Sequence, residues 1–409
     1  MKGSKRLLMF APNGGTSLST GGGVNFLLRL AERLIAVYGF DVYLTGFHTL
    51  PESVLIERNF DMIERVRDHI HVVPGNLSEN YFSIFSHIPF KLSAYDAMLS
   101  RAFSRWVSNT IERLRPDYMI FSDDVPIAAS RFLNEIPSVL YVHFPMAART
   151  TKIIPPMRRE RPKVEALNEF FLLRLIDRLV LKNPEDLLSK VLVNSSVTSN
   201  ALRRLGRGSN HDIFFPFWTT LQENFEIKKF LTSVGTIHKE KRHELLLNAI
   251  SQVKKELNGQ KVVIAGFSRE AAYLKKLKDY ILKENLQDFV ILEVNAHKER
   301  LQEVLRNSLG VFQLGEFEPL GITPLEGMRY GAVGVARKSE YSGAYTDILD
   351  RGTYGLGFED KHELSDLILK LLDESYYQLH RKRSVSRVSH YTRDRFTEQM
   401  TKLFPFGVN

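Results

Sequence analysis

The sequence predicts an α/β fold built from two doubly wound parallel sheets, each in a domain of its own. Short runs of apolar and β-branched residues alternate with amphipathic helical stretches in both halves of the chain. A length of 409 residues favours two domains over one. We place the domains at 1–210 and 225–383, with a link around Arg207–Phe225, where polar residues and Pro216 interrupt the pattern.

The N-terminal domain begins with a predicted strand, a glycine-rich loop and a helix. The strand is Arg6–Ala11, and the loop ends with Gly22 and Gly23 before the helix Val24–Tyr38. Backbone N–H groups at a helix N-terminus can bind an anion, so both glycines are candidate binding residues. The alternative is that they belong to a flexible surface loop. The loop is not G-x-G-x-x-G and no acidic residue ends the next strand, Asp41–Gly46, which argues against a dehydrogenase.

Three further strands are predicted in the first half of the chain. Asp117–Ser122 is followed by two aspartates, and a later strand ends at His143. A lone histidine is more often structural than catalytic, but this one stands at the carboxyl end of a strand, where ligands of parallel sheets bind. After the apolar run Val191–Val193, Asn194 and Ser195 are suited to cap the start of a helix.

The second domain repeats the alternation of strands and helices. Helices are predicted at Arg242–Val253 and Lys298–Asn307, and a last helix near Ser384–Leu403. The predicted strands are a run from Phe230, then Lys261–Gly266, Phe289–Val294, Gly310–Leu314 and Ala332–Ala336.

Two carboxylates bracket a glycine-containing loop between the last two of these strands. Glu318 lies in the loop, and Glu326 lies in the first turn of a short helix that we expect to run to about Tyr330, with Gly331 as its stop. Thr323–Glu326 has the pattern of a capping box, with Thr323 as the cap. The arrangement suits a site that binds a sugar and the ribose of a nucleotide, and the alternative is that Glu326 serves only as a cap.

The spacing of these residues resembles a family signature. Glu318 and Glu326, separated by seven residues that include Gly321, resemble the E-x7-E motif of retaining glycosyltransferases of family 4 (glycosyltransferase group 1), which have the two-domain GT-B fold. Leu320 stands where that family usually has phenylalanine. From about Phe230 to Asp373, the order and spacing of the predicted elements agree with the family.

Two other segments extend the resemblance. The run from Phe230 resembles the family's strand and G-R-x-x-x-x-K loop, with Lys241 at the lysine position and Thr236 where arginine is expected. That departure removes one cation, for which Lys239 or Arg242 could substitute. The alternative is that these charges form the solvated start of a helix. The run Y-V-H-F-P around His143 resembles members that extend lipid-linked mannose oligosaccharides.

The resemblance implies a role for each candidate residue. Lys241 would stabilise the departing diphosphate, and Glu318 would bond the hydroxyls of the donor sugar. Glu326 would accept hydrogen bonds from both ribose hydroxyls, and His143 would touch the sugar from the opposite domain. The remaining candidate substrate-binding residues are Gly22, Gly23, Thr236, Val294, Leu320, Gly321 and Ile322.

The resemblance also implies the architecture and the reaction. Two Rossmann-like domains would face each other across a cleft, with the first on the acceptor side and a C-terminal helix, 384–409, packing back on it. The enzyme would transfer a hexose, such as mannose, from GDP-mannose or a UDP-sugar to a glycan or lipid-linked acceptor. The resemblance implies no cofactor and no required metal. A non-catalytic nucleotide-sugar-binding or regulatory protein is the alternative, because Thr236 could mark a degenerate diphosphate site.

Composition limits the remaining possibilities. The absence of cysteine excludes disulfides and thiolate nucleophiles and fits the cytoplasm. The net charge of +9 predicts an anionic partner. Basic residues at Arg158–Lys163 precede the apolar run Phe170–Leu181, which predicts contact with the cytoplasmic face of an anionic membrane, unless that run is core. Aromatic residues in Tyr81–Phe90 could bind a lipid acceptor. No nucleic-acid-binding motif is present, so we expect no such partner.

Overall fold

The computed structural model describes residues 4–11, 22–46, 64–73, 101–123, 125, 127–145, 148, 187–207, 211–222, 228–268 and 270–406. The chain forms two compact units. The first contains Met1–Asn194, Thr198–Phe217 and Thr397–Asn409, and the second contains Ser195–Val197 and Trp218–Phe396. The predicted membrane-contact segments, 158–181, and the aromatic segment, 81–90, lie outside the described residues.

The first unit is built on a parallel sheet of seven strands in the order β3-β2-β1-β4-β5-β6-β7. The strands read as continuous apolar runs because the sheet is buried on both faces, and all five residues of β5 are buried. The strands are β1 Arg6–Ala11, β2 Asp41–Gly46, β3 Ile70–Val73, β4 Tyr118–Ser122, β5 Ser138–Val142, β6 Lys190–Val193 and β7 Asp212–Ile213.

Helices cover this sheet and complete its core. The helix Arg101–Leu114 packs Val107 and Ile111 against Leu8, Phe10 and Phe121 of the sheet. The helices of this part of the chain are α1 Gly22–Tyr38, α2 Arg101–Leu114, α3 Ile127–Ser130 and α4 Ser196–Arg204.

The start of α1 corrects one prediction. The helix begins at Gly22, two residues before the predicted start, so Gly22 and Gly23 belong to its first turn and do not close the preceding loop. The rest of that loop, residues 12–21, lies outside the described part of the chain.

The second unit is built on a parallel sheet of six strands in the order β10-β9-β8-β11-β12-β13. Its core includes Leu246, Leu247 and Ile250 from one helix and Leu364 and Ile368 from another, each with no exposed surface. The strands are β8 Phe230–Val234, β9 Lys261–Gly266, β10 Val290–Val294, β11 Ser308–Gln313, β12 Val333–Arg337 and β13 Leu356–Phe358. The helices that follow α4 are α5 His243–Val253, α6 Ala271–Lys283, α7 Lys298–Arg306, α8 Thr323–Met328, α9 Lys361–Leu371, α10 Glu374–Val388 and α11 Arg393–Leu403.

Strand order predicts a ligand-binding crevice at the carboxyl end of this second sheet. The chain runs outward from β8 through β9 to β10 and then returns to β11, which pairs with β8 on its other side. The connections after β8 and β11 therefore pass over opposite faces of the sheet, so a topological switch point lies between these two strands. Ligands of open α/β sheets bind at such a point. The predicted α/β class with two doubly wound parallel sheets is confirmed.

The short helix α8 has the predicted glycine stop, but it ends at Met328 instead of about Tyr330, and it does not begin as predicted. Ile322 is the N-cap and already has helical dihedral angles, φ −71° and ψ −13°, and no side chain caps the helix, so the capping box at Thr323 is wrong. At the other end, Gly331 has φ +80° and donates to Met328 at 3.0 Å, while Ala332 donates to Gly327 at 3.2 Å. These two bonds form a Schellman motif, as expected for a glycine stop.

The C-terminal segment forms two helices where we predicted one. The helices α10 and α11 are separated by a 3-10 turn at Ser389–Tyr391 and by Thr392, which has extended dihedral angles, φ −80° and ψ 163°. The hydroxyl of Thr392 accepts from the N–H of Arg395 at 3.3 Å and so caps α11. Among the residues that the structure describes, no helix is both long and apolar enough to cross a membrane.

Candidate functional site

Lys241 and Glu318 meet at the crevice of the second sheet. Lys241 ends a 3-10 turn, Lys239–Lys241, that follows β8, and its ammonium forms an ion pair with the carboxylate of Glu318 in the loop after β11. The side chains of Lys241 and Glu318 are 29% and 18% exposed, so the pair is partly shielded from water and still reachable by a ligand. The structure thus joins two residues to which the family resemblance assigns neighbouring parts of a donor.

The carboxylate and the backbone of Glu318 are both held in place. Oε2 accepts from Nε2 of Gln313 at 3.2 Å, in addition to the ammonium. The N–H of Glu318 donates to Tyr341 O at 3.0 Å, and its carbonyl accepts from the N–H of Gly343 at 2.8 Å. Because the loop is fixed to the segment after β12, the carboxylate is oriented before any ligand arrives.

Close backbone approaches bring these loops together. A Cβ on Gly315 would lie 2.9 Å from the carbonyl oxygen of Glu240, so the loops after β8 and β11 touch where a side chain would not fit. Gly321 has φ +70°, and a Cβ there would lie 2.8 Å from both Cγ of Glu318 and Cβ of Ala344. Glycine at position 321 therefore permits both the turn and the position of the Glu318 side chain.

Gly321→Ala should destabilise the fold and also weaken the nucleotide-sugar binding that the family resemblance implies for this loop. A left-handed backbone costs a residue with a Cβ about 1–2 kcal/mol, and the new methyl group would displace Glu318. Gly259→Ala is the matched control, because Gly259 has φ +82° with no atom within 4 Å of the Cβ position. Urea unfolding and titration with a nucleotide sugar test this: both variants should lose stability, and only Gly321→Ala should lose affinity. Equal donor affinity in the two variants would contradict the prediction.

Glu326 lies on the same loop-and-helix unit as Glu318. Its N–H donates to Ile322 O at 3.0 Å, and its side chain is half-buried. Helix α8 is fixed beneath it, because Leu325 has no exposed surface and a Cβ on Gly327 would lie 2.3 Å from Cγ2 of Val311 in β11. The helix therefore presents Glu326 at the first turn, next to the crevice.

The other predicted residues of this loop are Leu320, Gly321 and Ile322, which lie between Glu318 and Glu326 in the sequence. Leu320 is buried, at 6% exposed, and Ile322 is half-buried. Gly321, between them, leaves room for the Glu318 side chain because it has no Cβ. The structure thus places all three in the segment that joins Glu318 to α8.

Thr236 lies in the loop after β8, and this loop packs against His243. The backbone carbonyl of Thr236 lies 3.2 Å from Nε2 of His243, and Nδ1 of His243 lies 3.1 Å from the hydroxyl of Ser233. Of the two cations proposed to replace the missing arginine, Arg242 donates from Nε to Glu244 at 2.6 Å. Arg242 is therefore engaged by a nearby carboxylate in the first turn of α5, and Lys239 stays a prediction.

His243 should make folding stability depend on pH. Burial lowers the pKa of His243 to about 4, so the folded protein keeps the ring neutral at a pH where the unfolded chain would be protonated. Stability should therefore fall as the pH falls from about 6.5 toward 4, with a contribution of about 2 kcal/mol lost between pH 7 and pH 5. Urea unfolding at both pH values measures it, with His243→Gln as reference. An identical pH dependence in the variant would contradict the prediction.

Val294 ends β10 at the same edge of the sheet. It pairs in register with Gly266, the last residue of β9. The next residue, Asn295, has φ +59° and donates from its N–H to Gly266 O at 2.8 Å, which turns the chain at the strand end. The second sheet therefore brings Thr236, Lys241, Val294 and the Glu318 loop to one edge.

His143 lies in the first unit, immediately after β5. Its N–H donates to Oδ1 of Asp123 at 2.7 Å, and its ring packs edge-on against Phe26 and Tyr141, with centroids 5.4 and 4.9 Å away. Burial lowers the pKa of His143, although Asp123 opposes the shift, so the neutral imidazole is favoured. Among the described residues, no group lies within hydrogen-bonding distance of its buried Nε2. A neutral ring with a free nitrogen can bind a hydroxyl group.

Sequence reasoning missed two contributors to these sites and assigned no role to a third. Gln313 is a polar residue at the end of an apolar strand, a signal that could have identified it, and its amide orients Glu318. Arg337 ends β12 with a guanidinium nitrogen 3.5 Å from Glu316, a pairing without a local sequence signal. Asp123 was noted at a strand end, and its contact with the His143 backbone explains its position. Within the described ranges, no cluster of three or more potential metal ligands is found.

Comparison with known families gives a match to the second unit. Residues 219–388 match the family model described as glycosyl transferases group 1. The match covers β8 to α10, including Lys241, Glu318 and Glu326, so this region is similar to that family in sequence. The comparison with curated proteins found no match.

Solved structures extend the likeness in fold to nearly the whole chain. The sucrose-phosphate synthase of Thermosynechococcus elongatus has a TM-score of 0.72 at 16% identity, over 98% of each chain. Anabaena HepE in complex with UDP and glucose has a TM-score of 0.66 at 14% identity, over 97% of this chain and 98% of the other. A mutant of S. aureus TarM, with UDP among its ligands, has a TM-score of 0.66 at 12% identity, over 98% of this chain and 100% of the other. Together they confirm the expected pair of Rossmann-like domains.

Proposed function

We propose, from the group 1 match to residues 219–388 and the geometry around Lys241, that this protein is a retaining glycosyltransferase. It transfers a hexose from a nucleotide-diphosphate sugar to a glycan or lipid-linked acceptor. The observation that carries the proposal is the ion pair between Lys241 and Glu318 at the switch point of the second sheet. A cation and an oriented carboxylate at one crevice match the two parts of the donor, its diphosphate and its sugar hydroxyls.

The ion pair gives each residue a role that changes when the donor binds. The Lys241 ammonium shifts from the carboxylate toward the diphosphate, whose charge it neutralises as the leaving group departs. The Glu318 carboxylate, still held by Gln313, then accepts hydrogen bonds from the sugar hydroxyls and fixes the ring. Glu326 accepts from the two ribose hydroxyls.

Retention of configuration is proposed without a protein nucleophile. The acceptor attacks the anomeric carbon on the face from which the diphosphate leaves, and the leaving phosphate assists deprotonation of the acceptor hydroxyl. Glu318 does not act as half of a hydrolase pair, because that chemistry needs a second carboxylate across the scissile bond. His143, neutral and with a buried nitrogen, binds a hydroxyl of the transferred sugar.

Two classes of donor fit the proposal. UDP-sugars are supported by Anabaena HepE, whose solved complexes contain UDP, UDP with glucose, and UDP-glucose. GDP-mannose is supported by the Y-V-H-F-P run around His143. Basic and apolar residues at 158–181 support peripheral contact with an anionic membrane, which would present a lipid-linked acceptor.

The experiment is a donor screen followed by a turnover assay. Thermal shift with GDP-, UDP- and ADP-sugars identifies the donor, because a bound ligand raises stability. Release of nucleoside diphosphate, with and without glycan and lipid-linked acceptors, measures transfer, and the anomeric proton coupling of the product reports retention. Absence of a shift with every donor would refute the proposal.

A non-catalytic nucleotide-sugar-binding protein is the second candidate. It is favoured by one observation, Thr236 at the position where the family has arginine, which leaves fewer cations at the diphosphate. A donor that binds with no nucleoside diphosphate released in the presence of acceptor would favour this candidate. Restored turnover in Thr236→Arg would support the degenerate site directly.

A further inference from the structure

Phe267 is an exposed aromatic residue at the edge of the sheet that carries Lys241. Its side chain is 60% exposed, the largest fraction among the large apolar side chains that the structure describes as exposed. It directly follows β9, between the connections that leave β8 and β10. A single exposed apolar residue is common on protein surfaces, so its surroundings have to indicate a role.

The backbone around Phe267 is tied to both neighbouring loops. Its carbonyl accepts from the N–H of Ile237 at 2.8 Å, on the side of β8. On the side of β10, the N–H of Ser268 donates to Oδ1 of Asn295 at 3.1 Å. The residue is therefore fixed in position at the edge of the sheet, although its ring is exposed.

A close contact between two glycine backbones connects Phe267 with Lys241. A Cβ on Gly266 would lie 1.7 Å from the carbonyl oxygen of Gly235, so the two glycines touch with no side chain between them. On the other side of this contact, Cε of Lys241 lies 4.0 Å from the Cβ position of Gly235. The Lys241 side chain, the contact between Gly235 and Gly266, and the ring of Phe267 thus follow one another along the edge of the sheet.

We propose that Phe267 stacks on the base of the donor nucleotide. The inference rests on the proposed function and adds a detail to it. The Lys241 ammonium binds the diphosphate, and the ring of Phe267 stacks on the planar base. Every base has a π-face, so stacking adds affinity without selecting one base. Base identity would then depend on other contacts, such as backbone groups at the end of β10.

The test compares three substitutions and two kinds of ligand. Calorimetric titration with UDP, and separately with GDP, measures affinity in wild type, Phe267→Ala, Phe267→Leu and Phe267→Tyr. Loss of a base–aromatic stack should weaken binding about tenfold to a hundredfold in the alanine and leucine variants, and tyrosine should retain most of the affinity. The second kind of ligand is inorganic pyrophosphate, which has no base and should bind all four proteins equally, measured by competition.

The outcomes separate this inference from the proposed function. With the full enzyme, donor KM should rise in Phe267→Ala and Phe267→Leu while kcat at saturating donor stays constant. Wild-type affinity in Phe267→Leu would show that apolar area suffices and would overturn the stacking role. Equal losses with pyrophosphate would show a distorted loop and would overturn it as well. If the wild-type protein binds no nucleotide, the proposed function itself fails, and this inference fails with it.

Discussion

Lys241→Ala should lower kcat for glycosyl transfer by about a hundredfold to a thousandfold, the usual cost of removing one group that stabilises charge in a transition state. The ammonium is needed most when the diphosphate departs, so kcat should fall more than donor affinity does. Steady-state kinetics with saturating acceptor measure both quantities. Lys276→Ala is the matched control, because it removes an exposed lysine from α6 in the same unit and leaves the crevice intact.

The ion pair gives this prediction a second test. Because Lys241 and Glu318 contact each other directly, their substitutions should not be additive. The double variant, with alanine at both positions, should be less impaired than the product of the two single effects. Unchanged turnover in Lys241→Ala would exclude the leaving-group role, and strict additivity would show that the two residues act separately.

Glu326→Ala should weaken donor binding about tenfold to a hundredfold. A hydrogen bond to a charged group contributes about 1.5–3 kcal/mol, and the carboxylate is proposed to accept from two ribose hydroxyls. Titration with the nucleoside diphosphate measures the loss, with Glu299→Ala as the control for removing an exposed carboxylate from α7.

A ligand without the ribose 2′-hydroxyl tests the same contact, because it removes a hydrogen-bond donor of the ligand instead of the acceptor on the protein. Wild-type protein should bind the 2′-deoxy nucleoside diphosphate more weakly than the ribose form, whereas Glu326→Ala should discriminate less between them. Equal discrimination by both proteins would place the ribose elsewhere, even if the alanine variant binds weakly.

The longer strands could be predicted from the sequence because parallel sheets bury both faces. The predicted strands, such as Lys261–Gly266, lie within about two residues of the observed ones, since a short unbroken apolar run is typical of a strand that is covered on both sides. The short edge strands β3, β7 and β13 were not predicted. Two to four residues are too few to show a period, and their pairing depends on the strand beside them.

The candidate site was predicted only in part, because its contacts join distant parts of the chain. Lys241 and Glu318 are 77 residues apart, and no local pattern could indicate that they pair. The capping box at Thr323 failed because a sequence pattern cannot show that Ile322 already has helical dihedral angles. Phe267 was not predicted to have a role, since its exposure depends on the folded loops around it.

The order of strands around β8 and β11 fixes where the candidate site lies, even when the amino-acid sequence changes extensively. The switch point exists because successive strands are added on one side of β8 and then on the other, and no single side chain creates it. Substitutions within the strands therefore leave its location unchanged as long as the apolar character persists. The solved structures with 12–16% identity illustrate how little sequence such a scaffold has to preserve. New substrate preferences can thus arise by replacing loop residues at that edge, without rebuilding the layers beneath them.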